Sequence, residues 1–176
     1  MFLFVFVIAM AAAAAVVLFK DAKGGKKAAL QIIPDNIDLQ IKNFHYTEVG
    51  DPEWKWQINA DTAKYAKKQN LAYFDRVKIK LIRRDGETLN ISGDKGIYRT
   101  DNKNAQIIGN VELVTNRGER VTTEHLDYND AEKKVSTADP VVFTSRNLEV
   151  KGKGMTFIVA EQEVTLHANV KAVFTK

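Results

Sequence analysis

After residue 30 the chain alternates apolar and polar side chains with a period of two, which is typical of strands with one buried face. The alternation is clearest in five segments, which begin at residues 54, 77, 111, 141 and 170. Short clusters rich in Asp, Asn and Gly lie between these segments, and such residues adopt the backbone conformations of tight hairpins. No segment after residue 30 keeps an apolar stripe of helical period. The pattern therefore predicts an all-β domain.

Two sets of residues repeat with nearly the same interval. An aromatic residue precedes a charged turn at intervals of 33, 30 and 29 residues: Tyr65, Tyr98, Tyr128 and Phe157. A valine opens the next predicted strand at intervals of 34, 30 and 29 residues: Val77, Val111, Val141 and Val170. A unit of two strands cannot bury its own apolar face, so the repeat predicts stacked hairpins that share one core. An ordinary sandwich with evenly spaced hairpins is the alternative.

The N-terminal segment differs from the rest of the chain, because residues 1–19 contain no charged or polar side chain. As a helix these residues extend about 28 Å, close to the hydrocarbon core of a bilayer. We expect an uncleaved single-pass anchor. A secretory signal peptide is the alternative, since Ala11 to Ala15 offer small-residue cleavage sites.

Charge is concentrated beside that apolar run. Residues 20–27 hold four lysines and one aspartate, whereas residues 28–176 hold 22 basic and 21 acidic side chains. The basic balance therefore belongs to a juxtamembrane segment, and a nucleic-acid-binding face on the main domain is unsupported. These lysines favour a cytoplasmic position under the positive-inside tendency, which long translocated domains often override.

The chain carries no signature of catalysis. It has no cysteine, so disulfides, thiol nucleophiles and cysteine-bound metals are excluded. His45, His125 and His167 fall on separate predicted strands with no acidic side chain at ligand spacing, and we expect them to face solvent. We predict no enzyme activity, no cofactor and no metal. Trp54 and Trp56 fit two interpretations equally, as core residues or as an aromatic wall for a ligand.

Several ordered motifs between about residue 38 and residue 174 resemble one family. They are Asn43-Phe44-His45-Tyr46, the segment from Trp54 to Tyr65, Ile108-Gly109-Asn110-Val111, Thr122 to Tyr128, Asp139-Pro140-Val141, and Glu149 to Met155. In order and spacing they are similar to LptC, the bridge-protein family of lipopolysaccharide export. The apolar N-terminus is similar to the single anchor of that family.

The resemblance implies an open, twisted β-jelly roll of antiparallel hairpins, preceded by one transmembrane helix. The expected organisation is a transmembrane anchor over 1–19, a basic juxtamembrane linker over 20–37 and a periplasmic β-jelly-roll domain over 38–176. The expected location is the inner membrane, with the C-terminal domain in the periplasm.

The resemblance also implies site residues. An apolar groove for lipopolysaccharide acyl chains is expected to be lined by Trp54, Trp56, Ile58, Phe74, Val77, Ile79, Val111, Leu113, Val141 and Phe143. The edge strand for a partner is expected to carry Val164, Leu166, Val170, Ala172 and Phe174.

The implied function is lipopolysaccharide transport. The protein would receive lipopolysaccharide from the permease subunits of an inner-membrane ABC transporter, which it contacts through its N-terminal helix and first-strand edge. It would pass lipopolysaccharide to a soluble periplasmic bridge protein at the C-terminal edge. The alternatives are a soluble shuttle of the same fold with a cleaved signal peptide, and an envelope scaffold module with a filled core and no ligand.

Overall fold

The chain forms one antiparallel sheet of nine strands in a computed structural model that describes residues 37–51, 54–158, 161 and 163–174. The strands are β1 (Leu39–Asp51), β2 (Trp54–Ala66), β3 (Leu71–Arg83), β4 (Thr88–Arg99), β5 (Ala105–Thr115), β6 (Arg120–Asn129), β7 (Lys134–Ser145), β8 (Leu148–Ile158) and β9 (Glu163–Phe174). Each strand pairs with the next in the chain, so β1 and β9 lie at the two edges of an open sheet. The all-β prediction is confirmed.

A crease crosses the sheet near the middle of its strands. It is marked by residues with positive φ inside strands: Asn43, Arg76, Gly109, Asn110, Gly154 and Asn169. The pairing register also shifts near the middle of the contacts from β4 to β9, for example between Ile108 and Val111. Bulges of this kind bend a strand and increase its twist. Each strand therefore contributes to two leaves.

The two leaves face each other across the crease. The first leaf ends at the turns near residues 85, 117 and 146, and the second ends at the turns near residues 69, 102 and 131. One apolar core joins residues of both leaves, including Ile58 and Ile79 of the first and Phe74, Tyr98 and Leu126 of the second. The repeat is thus a stack of hairpins that share a core, as predicted.

The aromatic set of the repeat forms one row across the second leaf. Tyr65 pairs with Ala72, Ala72 with Tyr98, and Tyr98 with Ala105. The row continues through Tyr128, Val135, Phe157 and Val164. Large rings on even-numbered strands therefore alternate with smaller side chains on odd-numbered strands, so neighbouring rings do not collide. The interval of about thirty residues is one hairpin.

The valines of the repeat lie just beyond the crease. Val77 pairs with Gly93, and Val111 pairs with Thr123. Val77, Val111 and Val141 are buried, with 3%, 1% and 2% exposed. The prediction that these valines open strands is wrong, because β3 begins at Leu71 and β5 begins at Ala105. The bulges at the crease interrupt the alternation of apolar and polar side chains. The alternation in the sequence is therefore clear only in the part of each strand that belongs to the first leaf.

The N-terminal anchor over 1–19 and the linker up to residue 36 lie outside the described residues. Within the described part of the chain, no helix is long and apolar enough to cross a bilayer.

Candidate functional site

A cavity of about 850 Å³ lies between the two leaves. It is lined by Trp56, Leu81, Arg83, Leu89, Ile91, Ala105, Ile107, Leu113, Val121, Leu126, Asp127, Tyr128, Val135, Val141, Phe143, Val150, Met155, Phe157, Val164 and Leu166. Nearly all of these side chains are aliphatic or aromatic. They come from every strand between β2 and β9. The site is therefore an apolar groove that runs across the strands.

The structure divides the predicted groove residues into two groups. Those that line the cavity are Trp56, Leu113, Val141 and Phe143. Those that lie in the core without lining the cavity are Ile58, Phe74, Val77, Ile79 and Val111. The side chain of Trp54 lies outside the described residues. Trp56 satisfies both interpretations of the tryptophan pair, because it is buried in the core and also borders the cavity.

The predicted edge residues lie on β9, which is a free edge of the sheet. Val164 and Leu166 line one end of the cavity. Val170 and Phe174 are 56% and 76% exposed, and Ala172 is also exposed. The groove therefore reaches an edge where apolar side chains and backbone groups both meet solvent.

Other lining residues were not anticipated from the sequence, notably Leu81, Ile91, Ile107, Leu126 and Met155. Leu81 continues the alternation that begins at Val77, whereas Ile91 lies on β4, outside the five alternating segments of the sequence. Ile107, Leu126 and Met155 lie on the second leaf, where the crease shifts the phase of the alternation. The sequence did carry one signal for the second leaf, which is the row of repeated aromatic residues. Tyr128 and Phe157 belong to that row, and both line the cavity.

Among the described residues that line the cavity, only two are charged, Arg83 and Asp127. Arg83 lies where β3 ends, and its Nε donates to Asp85 Oδ2 at 2.8 Å. Its Nη1 contacts Glu87 Oε2 at 2.8 Å, and Arg117 reaches the same carboxylate at 3.2 Å. The hydrogen bond from Arg83 lowers the pKa of Asp85 to about 2. This rim is thus a set of mutually neutralised charges.

Two buried phenols belong to the core of the second leaf. Burial raises the pKa of Tyr98 to about 12, and nearby Asp130 acts in the same direction. Burial also raises the pKa of Tyr128, whose hydroxyl donates to Asp130 Oδ1 at 2.9 Å. Both phenols are therefore neutral at physiological pH. Tyrosine suits such a buried position, because its ring is apolar while its hydroxyl can form a hydrogen bond.

The histidines form no metal or catalytic cluster. His45 Nδ1 lies 2.5 Å from Asn59 Oδ1, His125 Nε2 lies 3.3 Å from Asp127 Oδ1, and His167 Nε2 lies 2.9 Å from Thr156 Oγ1. No group of three metal-ligating side chains occurs among the residues that the structure describes. His45 and His167 are exposed, whereas the expectation for His125 is wrong, because its side chain is half-buried and lies beside Asp127.

The family is decided by a match over nearly the whole chain. A family model described as "Lipopolysaccharide-assembly, LptC-related" matches residues 6–175. The chain belongs to this family. It is an LptC-related lipopolysaccharide transport protein, and proteins of this family are not enzymes.

A solved structure supports the fold. The chain is similar to LptH, described as the LptA homologous periplasmic component of the lipopolysaccharide transport device from Pseudomonas aeruginosa. The TM-score is 0.51 at 13% identity, and the alignment covers 69% of this chain and 95% of LptH. At this identity the likeness concerns the fold, an open β-jelly roll. No curated protein matches the sequence.

Proposed function

We propose that this LptC-related protein is a membrane-anchored bridge subunit that carries the acyl chains of lipopolysaccharide in the groove between its leaves. The observation that carries the proposal is the apolar cavity of about 850 Å³ that extends to the free β9 edge. Burying hydrocarbon contributes about 0.8 kcal/mol per methylene, so a groove binds acyl chains without a directional site. In this proposal the groove is open between the outer ends of the two leaves, so the bulky glycan attached to the acyl chains remains in water.

The two free edges support a place in a chain of similar domains. Edge strands recruit other strands unless they are guarded, and strand addition is a common mode of protein recognition. We assign the β1 edge to the permease subunits of an inner-membrane ABC transporter. We assign the β9 edge, with Val164, Leu166, Val170, Ala172 and Phe174, to a soluble periplasmic bridge protein.

The same proposal places the domain in the periplasm and residues 1–19 in the inner membrane. The length and apolar composition of that segment support an anchor. Cell fractionation tests this part. A full-length protein in the membrane fraction is expected, whereas a lighter soluble protein would favour the shuttle with a cleaved signal peptide.

The decisive experiment places a photo-reactive phenylalanine analogue at Phe143, which lines the cavity, or at Thr144, which pairs with Arg120 and Glu149 outside it. After irradiation of cells that make lipopolysaccharide, we expect a lipopolysaccharide adduct from position 143 and none from position 144. No adduct at either position in a folded protein would favour the scaffold.

Deletion of residues 163–176 tests the edge assignment. The shortened protein is expected to lose binding to the soluble bridge protein while its first eight strands stay folded. Retained binding would remove β9 from the interface.

A further inference from the structure

The interior is filled at one end of the sheet and hollow at the other. Phe44 of β1 and Phe74 of β3 are each 8% exposed, and Ile58 and Ile79 beside them are 2% and 4% exposed. None of these four side chains lines the cavity. The described residues that line it lie on β2 to β9, and none lies on β1. Among the residues whose side chains the structure describes, the cavity lining therefore stops at β2.

Two aromatic rings close that end. The ring centroids of Phe44 and Phe74 lie 5.7 Å apart, with the ring planes tilted by 55°. Phe44 directly follows the crease residue Asn43 and belongs to the first leaf, whereas Phe74 lies two residues before the crease residue Arg76 and belongs to the second. The contact therefore joins the two leaves across the crease. Ring pairs at this separation attract each other beyond their buried area.

The outer surface of the sheet carries an ion pair beside the crease at this end. Arg76 forms an ion pair with Asp61, and both side chains are largely exposed outside the core. Phe44 pairs with Ala60, and Phe74 pairs with Ala63 and Gly96. The strand neighbours of both rings are thus very small, so the two rings can approach each other across the crease.

We infer that Phe44 and Phe74 form a gate at the β1 end of the groove. This inference rests on the proposed lipid-carrying function. Hydrocarbon that arrives from the β1 side reaches the cavity only when the two rings separate. β1 is the element that can move, because among the strands that the structure describes it is an edge strand that pairs only with β2. The β9 end needs no such movement, since the cavity-lining Val164 is already 59% exposed.

Because the chain has no native cysteine, single thiols can report on the gate. The test uses the purified full chain and a maleimide that carries a dodecyl chain, with labelling followed by mass spectrometry. Ile58→Cys places a thiol beside the rings. Val121→Cys places one in the cavity wall, and Val111→Cys places one in the core away from the rings.

With both rings intact, we expect rapid labelling of the Val121→Cys variant and slow labelling of the other two. Adding Phe44→Ala should accelerate labelling of the Ile58→Cys variant by about tenfold, because local opening controls access to a buried group. Labelling of the Val111→Cys variant should stay unchanged. As a matched control, Met155→Ala removes a similarly buried side chain near the other end and should accelerate neither.

Equal labelling of the Ile58→Cys and Val121→Cys variants with intact rings would overturn the gate, because the groove would already be continuous. If Phe44→Ala accelerated labelling of the Ile58→Cys and Val111→Cys variants equally, the gate would also be overturned. Phe44 would then stabilise the whole core rather than one end of the groove. If the Phe44→Ala variant does not fold, the same labelling rates are measured with Phe44→Val, and the same outcomes apply. A missing lipopolysaccharide adduct at position 143 would reject the function without affecting these labelling rates.

Discussion

The strands near the start of the sheet and the last strand have similar alternating sequences and opposite surroundings. In β3, the apolar residues Phe74, Val77 and Ile79 are 8%, 3% and 4% exposed. In β9, Val164, Val170 and Phe174 are 59%, 56% and 76% exposed. Alternation therefore identifies the face of a strand that points toward the groove. Burial of that face requires neighbouring strands on both sides and a closed opposite leaf.

This difference in burial indicates that the two ends of the sheet have different roles. The β1–β4 end holds most of the tightly buried residues and supplies stability. The β9 end leaves apolar surface uncovered, which monomeric proteins normally limit because it recruits partners. The predictions below test whether stability and binding are separated in this way.

The largest expected effect is on stability at the filled end. Phe74→Ala should lower the free energy of unfolding by about 3–5 kcal/mol, because it removes a buried ring and leaves a cavity. Phe174→Ala should change it by less than about 0.5 kcal/mol, since the side chain is mostly exposed. Urea denaturation of both variants provides the measurement. A similar loss from both would contradict the division.

Two glycines near the crease give the next comparison. A β-carbon at Gly93 would lie 2.4 Å from Ile107 Cγ2, whereas one at Gly152 would lie 3.3 Å from the flexible Leu166 side chain. Gly93→Ala should therefore cost about 1–3 kcal/mol through overpacking. We expect Gly152→Ala to cost less, because Leu166 can shift. Thermal unfolding of the two variants ranks them, and the reverse order would show that the β8 end is packed more tightly.

The buried phenols predict a dependence on alkaline pH. A tyrosine in the unfolded chain ionises near pH 10, while Tyr98 in the folded protein has a pKa of about 12. The unfolded state thus binds fewer protons in this range, so stability falls as the pH rises from about 10 to 12. Tyr98→Phe should show a smaller decline. Denaturation at pH 9 and pH 11.5 tests this, and identical declines would show that Tyr98 does not contribute.

The smallest expected effect concerns the charged rim. Arg83→Ala should return the pKa of Asp85 from about 2 toward its usual value, because it removes the strongest hydrogen-bond donor to that carboxylate. Carboxyl NMR signals during an acid titration report the change. We expect little effect on unfolding, since the pair is exposed to solvent. An unchanged titration of Asp85 would instead assign the low pKa to backbone donors such as Glu87.

The sequence anticipated the first leaf better than the second. Val111, Val141 and Phe143 follow the alternation beyond the crease and point inward, and all three were predicted as groove residues. Ile107, Leu126 and Met155 were missed, because the bulges shift the phase of alternation. A positive φ at a non-glycine residue such as Arg76 carries no recognisable local signal.

The sequence by itself determined the all-β class, the hairpin repeat and its aromatic row, because side-chain periodicity and turn composition are local properties of the chain. It also carried the motifs by which the family is recognised. The tertiary structure alone decided which apolar residues fill the core and which line the cavity. Ile58 and Phe143 both point inward, yet only Phe143 borders the cavity. The physical reason is that packing depends on the facing leaf, whose position follows from the bends of all nine strands together.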